Sequence, residues 1–294
     1  SYANARLSFA SAGGSADDKR LKEAFCDPAR VRFCYGSGQE YMDITDYTYE
    51  QGELCFRLPG GEQGIAPMEE FGSRHVIFME ILDASSFSGI YFKGVSLRTE
   101  CFGKKPDFVN VKGTDQEVEE FLAFGENPSL YDELYIGCGE VFGKAGARLN
   151  VEFDLDFVRI PLEEIASGVK ISWKRIMRKQ EFVPEEEYDI TIREVIWEYY
   201  NGYGWKRLSV SARYGDIFSV ADGTSSVRRR MEFTCPADIG RVLVNSAEDY
   251  CIRARIIRMN NAYKTKGAYI APVAGNFSLG YSYMDNPLRP EAVF

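Results

Sequence analysis

The chain carries an internal repeat, and a repeat restricts the fold to one that can be built twice in tandem. Phe33, Tyr35, Gly36, Asp46, Thr48, Phe56, Pro59, Ile77, Ile81 and Tyr91 return in the same order as Trp197, Tyr199, Gly202, Asp222, Thr224, Phe233, Pro236, Ile252, Ile256 and Tyr269. The spacing from Asp46 through Phe56 to Pro59 is within one residue of that from Asp222 through Phe233 to Pro236, and Ile77 to Ile81 matches Ile252 to Ile256 without a gap. Upstream, Ala5-Arg6-Leu7-Ser8-Phe9 is echoed by the segment from Ala147 to Phe153. The duplication contains no duplicated catalytic constellation, which points toward scaffolding before it points toward chemistry.

At 294 residues the chain has room for roughly two domains of ~100–200 residues, and the repeat places their boundary near residue 125. Hydrophobic content of 45% with 14% aromatic is ample for two cores, and no run approaches the ~20 apolar residues of a membrane-spanning helix. No charged-then-apolar leader precedes Ala3-Asn4-Ala5, so export through a signal peptide is not expected. A formal charge of −9 argues against nucleic-acid and anionic-membrane partners, which need a surplus of clustered Lys and Arg. Two basic clusters stand out locally: Lys174, Arg175, Arg178 and Lys179, and then Arg228-Arg229-Arg230. The plain reading is solvated strand ends balanced by Glu185-Glu186-Glu187; the functional one is a patch facing an acidic neighbouring subunit. Seven cysteines (Cys26, Cys34, Cys55, Cys101, Cys138, Cys235, Cys251), an odd number with no CxxC pair, indicate free thiols in a reducing compartment and offer no zinc site.

Short apolar and alternating runs rich in Val, Ile, Phe and Tyr predict strands over 31–35, 53–58, 75–82, 90–99, 149–158, 169–173, 190–200, 230–234, 250–259 and 269–273. Asn201-Gly202 with Gly204 predicts a hairpin from Tyr200 into Trp205. Helical signals are few. Leu21, Ala24 and Phe25 share a face over 17–25, and Thr114-Asp115-Gln116-Glu117 has the form of a capping box leading to Val118, Phe121 and Leu122. Gly125, Asn127 and Pro128 mark 124–132 as the linker.

Few residues carry a chemical signal. His75 is the one histidine, and Tyr250 takes its place in the second copy; a catalytic role is lost on that exchange, whereas a large, partly polar edge residue survives it. Asp154 and Asp156 share one face of a strand, which suits the solvent face of a half-buried strand better than a glycosidase cleft or a calcium site. Asp46-x-Thr48 and Asp222-Gly223-Thr224 read as turn-fixing pairs. Gly36-Ser37-Gly38 and Gly137-Cys138-Gly139 lack the strand-to-helix context of a phosphate loop. Tyr199, Tyr200, Tyr203 and Trp205 gather at the predicted hairpin, either as packing or as a platform for a sugar or a protein.

The runs Phe124-Gly125-Glu126-Asn127-Pro128, Leu134-Tyr135-Ile136-Gly137 and Glu140-Val141-Phe142-Gly143-Lys144-Ala145-Gly146-Ala147 resemble a stretch of the large J-like baseplate proteins of phage-tail-like contractile injection systems, with the approximate pattern PFG-x-x-P, FYIG, EAFSK-x-GA. Trp197-Glu198-Tyr199, Asn201-Gly202, Trp205, Asp222-Gly223-Thr224, Phe233, Pro236 and Ile252-Arg253-Ala254-Arg255-Ile256 are similar to a further series in the same proteins. The likeness covers about 130–275; the first half joins it through the repeat. Ala123, Gly143 and Cys251 depart from the Pro, Ser and Trp that the family often has there. None of these motifs is catalytic in the family. The resemblance therefore implies a structural module with no active site, cofactor or metal, and other baseplate or tail-like particle subunits as partners. It places the chain in the cytoplasm, assembled into a tail-like particle. The core of the larger proteins is not evident around Asn286-Pro287-Leu288-Arg289-Pro290, which is the pattern of an excised piece.

The expected architecture is all-β with minor α: two tandem related β-sandwich domains with short helical insertions, residues 1–125 and 126–294, the two copies superposable. The expected interaction surface is Tyr199, Tyr203, Trp205, Arg228, Arg229 and Arg230, where aromatic and Arg side chains supply contact area and orientation. The alternative function is a carbohydrate-binding or adhesin-like sandwich pair using Tyr199, Tyr203 and Trp205, and a glycosidase using Asp154 and Asp156 is the third.

Overall fold

A computed structural model describes residues 2–11, 13, 15–59, 65–66, 68–72, 74–162, 187–220, 226–264 and 266–285. The fold is all-β with minor α. The chain divides into two compact units, Ser1–Lys104 with Gly146–Leu149 and Leu279–Phe294, and Lys105–Ala145 with Asn150–Ser278. The division falls at Lys104, whereas the repeat alone places a boundary near 125; the 124–132 segment lies inside the second unit.

In the first unit the elements run β1 (Tyr2–Ser11), α1 (Ser15–Phe25), β2 (Val31–Ser37), β3 (Glu40–Asp43), β4 (Tyr47–Glu50), β5 (Glu53–Pro59), β6 (Ile77–Ile81) and β7 (Phe92–Lys104). One sheet has the order β4–β5–β1–β7 and the other β3–β2–β6. Alternation on β5 sends Leu54, Phe56 and Leu58 inward, where they meet Val31, Phe33 and Tyr35 of β2. Helix α1 forms as its spacing predicts, burying Leu21, Ala24 and Phe25. The Phe25 ring lies 5.1 to 5.8 Å from those of Phe9, Phe33, Tyr49 and Phe87, a junction whose truncation to Ala costs about 3–5 kcal/mol.

The second unit holds β8 (Phe108–Val111), β9 (Thr114–Gln116), β10 (Glu120–Leu122), β11 (Glu133–Gly137), the single turn α2 (Gly139–Phe142), β12 (Arg148–Pro161), β13 (Tyr188–Tyr200), β14 (Trp205–Arg207), β15 (Ser226–Thr234), β16 (Arg241–Val244), β17 (Ala247–Asn260) and β18 (Gly267–Ser282). Strand β12 begins, and β18 ends, in residues of the first unit, where Leu279, Tyr281 and Ser282 pair with Lys104, Cys101 and Glu100 of β7. In the second unit the strands run β14–β13–β17–β11–β8–β9, with β16 also on β17, and β15–β12–β18–β10; β18 pairs in parallel with β13 from Tyr188 opposite Gly267 to Thr191 opposite Ile270, so the two runs belong to one continuous sheet. Phe153 of β12 stacks on Phe277 of β18 at 5.1 Å and on Phe218 at 5.6 Å, and Phe218 meets Trp197 of β13 at 6.1 Å. Those four rings are buried and form the aromatic core of the unit.

The strands that the repeat equates pair alike. In the first copy Tyr35 lies opposite Ile77, Phe33 opposite Met79 and Val31 opposite Ile81. In the second, Tyr199 lies opposite Ile252, Trp197 opposite Ala254 and Val195 opposite Ile256. Strand β1 pairs with β5 and β7, and β12 pairs with β15 and β18. A one-residue slip would turn every side chain to the wrong face, and the shared register buries Phe33 and Tyr35 as it buries Trp197 and Tyr199; the copies differ at Ile81, which is exposed where Ile256 is buried.

The Asn201 reversal forms, with Tyr200 opposite Trp205 and the Asn201 Oδ1 accepting from the Tyr203 and Gly204 amides. The helix expected from Thr114 does not form. Lys112 and Gly113 both have positive φ (51° and 81°), the geometry of a two-residue hairpin turn, so Thr114 leaves that turn opposite Val111 as the start of β9. Phe121 and Leu122 pair with β18 on β10. Thr48 is a ladder residue of β4 opposite Cys55 rather than a turn residue. The expected strand over 169–173, the cluster Lys174, Arg175, Arg178 and Lys179, Glu185-Glu186, Asp222-Gly223-Thr224 and Asn286–Pro290 lie outside the described residues. Among the described residues no helix is long and apolar enough to cross a membrane.

Candidate functional site

The sheet that carries Trp197 inward carries a polar row outward. Strand pairing sets Asp115 of β9 beside Asn110 of β8, Asn110 beside Tyr135 of β11, Tyr135 beside Arg253 of β17, Arg253 beside Glu198 of β13, and Glu198 beside Arg207 of β14. Alternation demands this: Trp197 and Tyr199 face the core, so Glu198 faces out. It is nonetheless buried, 6% exposed, because its neighbours cover it.

Glu198 is held at both oxygens. Arg253 donates through Nε at 2.9 Å, and Arg255 donates at 2.9 and 3.1 Å. Arg253 also donates to Glu133 at 2.6 Å, and the Tyr135 hydroxyl donates to the other Glu133 oxygen. Burial alone raises the Glu198 carboxyl; Arg255 and Arg253 outweigh it and hold the group below the usual carboxylate range. Burial, then the Glu133 carboxylate, pushes the Tyr135 phenol up to about 12. A network so fully paired is a structural clamp, and removing one partner of such a pair typically costs about 3–5 kcal/mol.

Trp205 closes the row from above. Its ring lies 4.1 Å from the Arg253 guanidinium and makes edge contacts with Tyr135 at 5.5 Å and Tyr200 at 5.7 Å. Beside it opens a groove of about 530 Å³, lined by the aromatic Tyr131, Tyr135 and Trp205, by Val242, Leu243 and Val244, and by the polar Asn110, Lys112, Asp132, Glu133 and Asn245. Its charges are internally matched: Lys112 pairs with Asp132 at 2.7 Å, and Glu133 with Arg253. Asn245 donates to Asp115 at 2.7 Å. Tyr131, at φ 73°, and Leu243 are each 65% exposed.

The six residues expected to form one surface are distributed differently. Tyr199 is buried, and its hydroxyl donates to Asp238, which Lys206 also holds at 2.7 Å. Tyr203 is 96% exposed at the hairpin tip. Trp205 lines the groove. On β15 the three arginines split between faces. Arg228 and Arg230 point outward to Asp154, Glu152 and Glu232, while Arg229 lies on the side of Met231 and Phe233, donating to the Ser219 carbonyl at 3.4 Å. Three consecutive strand residues do not share a face, so the triplet is not a single basic patch.

Asp154 is taken up by this pairing. Arg228, then Asn276, hold its carboxyl below the usual range, which leaves it ionised at neutral pH and unsuited to act as a general acid. Asp156, two positions on, is exposed. His75 is exposed just before β6, and its counterpart Tyr250 lies on β17 with Arg241 over its ring at 5.8 Å. The Gly139 amide at the start of α2 is occupied by the carboxylates of Asp107 and Asp249, which would repel a phosphate. Among the described residues no group of His, Cys, Asp or Glu is arranged to hold a metal ion.

Of the groove's residues, Trp205 is on the expected interaction surface and Tyr135 falls in the family-like run Leu134–Gly137, whereas nothing in the sequence pointed to Tyr131 or Leu243. The Tyr131–Tyr135 stretch, Trp205 and Leu243 are far apart in the chain and meet because β11, β13 and β16 all border β17 and β14, which carries Trp205, borders β13. No protein-family model matches the chain, and no curated protein matches it.

Proposed function

We propose that this chain is a structural module of a phage-tail-like baseplate, acting through protein–protein interfaces, with two related β-sandwiches as its building unit. One observation carries the scaffolding part: the copies share their strand-pairing register while the residues on the face away from the core are exchanged. Where the second copy sets Glu198 opposite Arg253, the first sets Cys34 opposite Phe78. Around Phe78 the first copy gathers Tyr41 and Phe71, at 4.9 and 5.4 Å, in place of the charged clamp. A frame kept with its surface replaced suits a part that presents different faces to different neighbours, since specificity resides in surface complementarity. The contractile-particle part rests on the resemblance of the 130–275 region to J-like baseplate proteins.

The test is assembly. The tagged protein, co-expressed with the sheath, tube and spike proteins of its genomic neighbourhood, is expected to sediment with the assembled particles and to be recovered from them in fixed stoichiometry. Recovery only as free protein, beside particles that assemble without it, overturns the proposal.

A further inference from the structure

We propose that the groove beside Trp205 is a binding site for a neutral saccharide. Its volume of about 530 Å³ lies within the ~300–1,000 Å³ of small-ligand clefts. Three features select the ligand class.

The first is the walls. Trp205, Tyr135 and Tyr131 line an open cleft together with Asp132, Glu133 and Asn245, a mixture that suits a ligand with an apolar ring face and a hydroxyl rim. The second is the charge balance. Lys112 is matched by Asp132 and Glu133 by Arg253, at 2.7 and 2.6 Å, so a charged ligand would have to break an existing pair to gain a new one. Hydroxyl groups can add to these groups without displacing their partners, because a carboxylate accepts, and an ammonium donates, more bonds than one. The third is rigidity. Trp205 is fixed from below by Arg253 and from the side by Tyr200, so little side-chain freedom is left to lose on binding. An apolar peptide would meet Val242, Leu243 and Val244 but would leave the polar atoms of Asp132, Glu133 and Asn245 in the same lining without new partners, whereas a ring with a hydroxyl rim serves both.

This site differs from a platform on Tyr199 and Tyr203. Tyr199 is buried, and Tyr203 stands at the hairpin tip without bordering the groove. The inference is independent of particle assembly: a saccharide can bind whether or not the chain sediments with sheath and tube.

The experiment is calorimetric titration of the full chain with chitotetraose, cellotetraose and mannotetraose, and, as the charged arm, tetragalacturonate and a heparin tetrasaccharide. At least one neutral tetrasaccharide is expected to bind at millimolar concentration or below. Trp205→Ala and Tyr131→Asn are each expected to weaken it about tenfold or more, the loss of one aromatic contact. Asn at 131 tolerates the left-handed backbone of that position, so this variant keeps its fold even if removing Trp205 disturbs the clamp. Tyr203→Ala is expected to bind as the parent does. No binding by any neutral tetrasaccharide overturns the proposal, as does undiminished affinity in Tyr131→Asn or tighter binding of the charged sugars.

Discussion

At the scale of single residues, Glu198 is a buried carboxylate held by two arginines. Its carboxyl is depressed in the folded protein, so its contribution is fully present above the unfolded carboxylate value of about 4.3 and is lost as pH falls through the lower folded-state value. Glu198→Gln is therefore expected to cost about 3 kcal/mol at pH 7, with the gap to the parent narrowing toward pH 3; urea denaturation at the two pH values checks both. A gap that stays constant would show that the charge is not what holds Arg253 and Arg255. The thiols separate as sharply. Cys26 is exposed, whereas burial pushes Cys235 and Cys251 up to about 12. Of the seven cysteines, one is expected to react rapidly with a thiol reagent in the native protein, and the mass-labelled peptide should contain Cys26.

At the scale of elements, tight turns override what neighbouring residues favour. The Lys112-Gly113 turn makes a strand of a sequence that reads locally as a capped helix, because the hairpin satisfies the Thr114 backbone by pairing it with Val111. Gly113→Ala places a Cβ at φ 81° and is expected to cost about 1–2 kcal/mol, measured by the shift in denaturation midpoint at unchanged slope. The strands themselves were largely legible, since runs such as 53–58 and 190–200 state their β character in their own residues. The hairpin at Asn201-Gly202 was legible for the same reason. The groove was not. Tyr131 and Leu243 have no periodicity that links them, and only the pairing of β11 and β16 to the same long strand, β17, brings them to one cleft. Likewise Arg228-Arg229-Arg230 reads as a cluster along the chain, and pleating divides it between two faces.

At the scale of the whole molecule, the repeat supplied the plan of strand pairing, but not the route of the chain through the units. The first unit is discontinuous, and Leu279, Tyr281 and Ser282 cover an edge of β7 that would otherwise be open. A chain ended at Lys104 is accordingly expected to aggregate or to unfold at lower urea than the parent, as read by size-exclusion chromatography and denaturation. The route also has a temporal consequence. At roughly 5–20 residues added per second, the 100–104 stretch of β7 leaves the ribosome on the order of ten seconds before the residues that cover it. Long-range closure is slow to begin with, since the intervening loop's entropy must be overcome before any contact rewards it. During that interval the nascent protein carries an unpaired strand edge, so slower decoding of the codons between β7 and β18 lengthens the exposure and lowers the soluble yield.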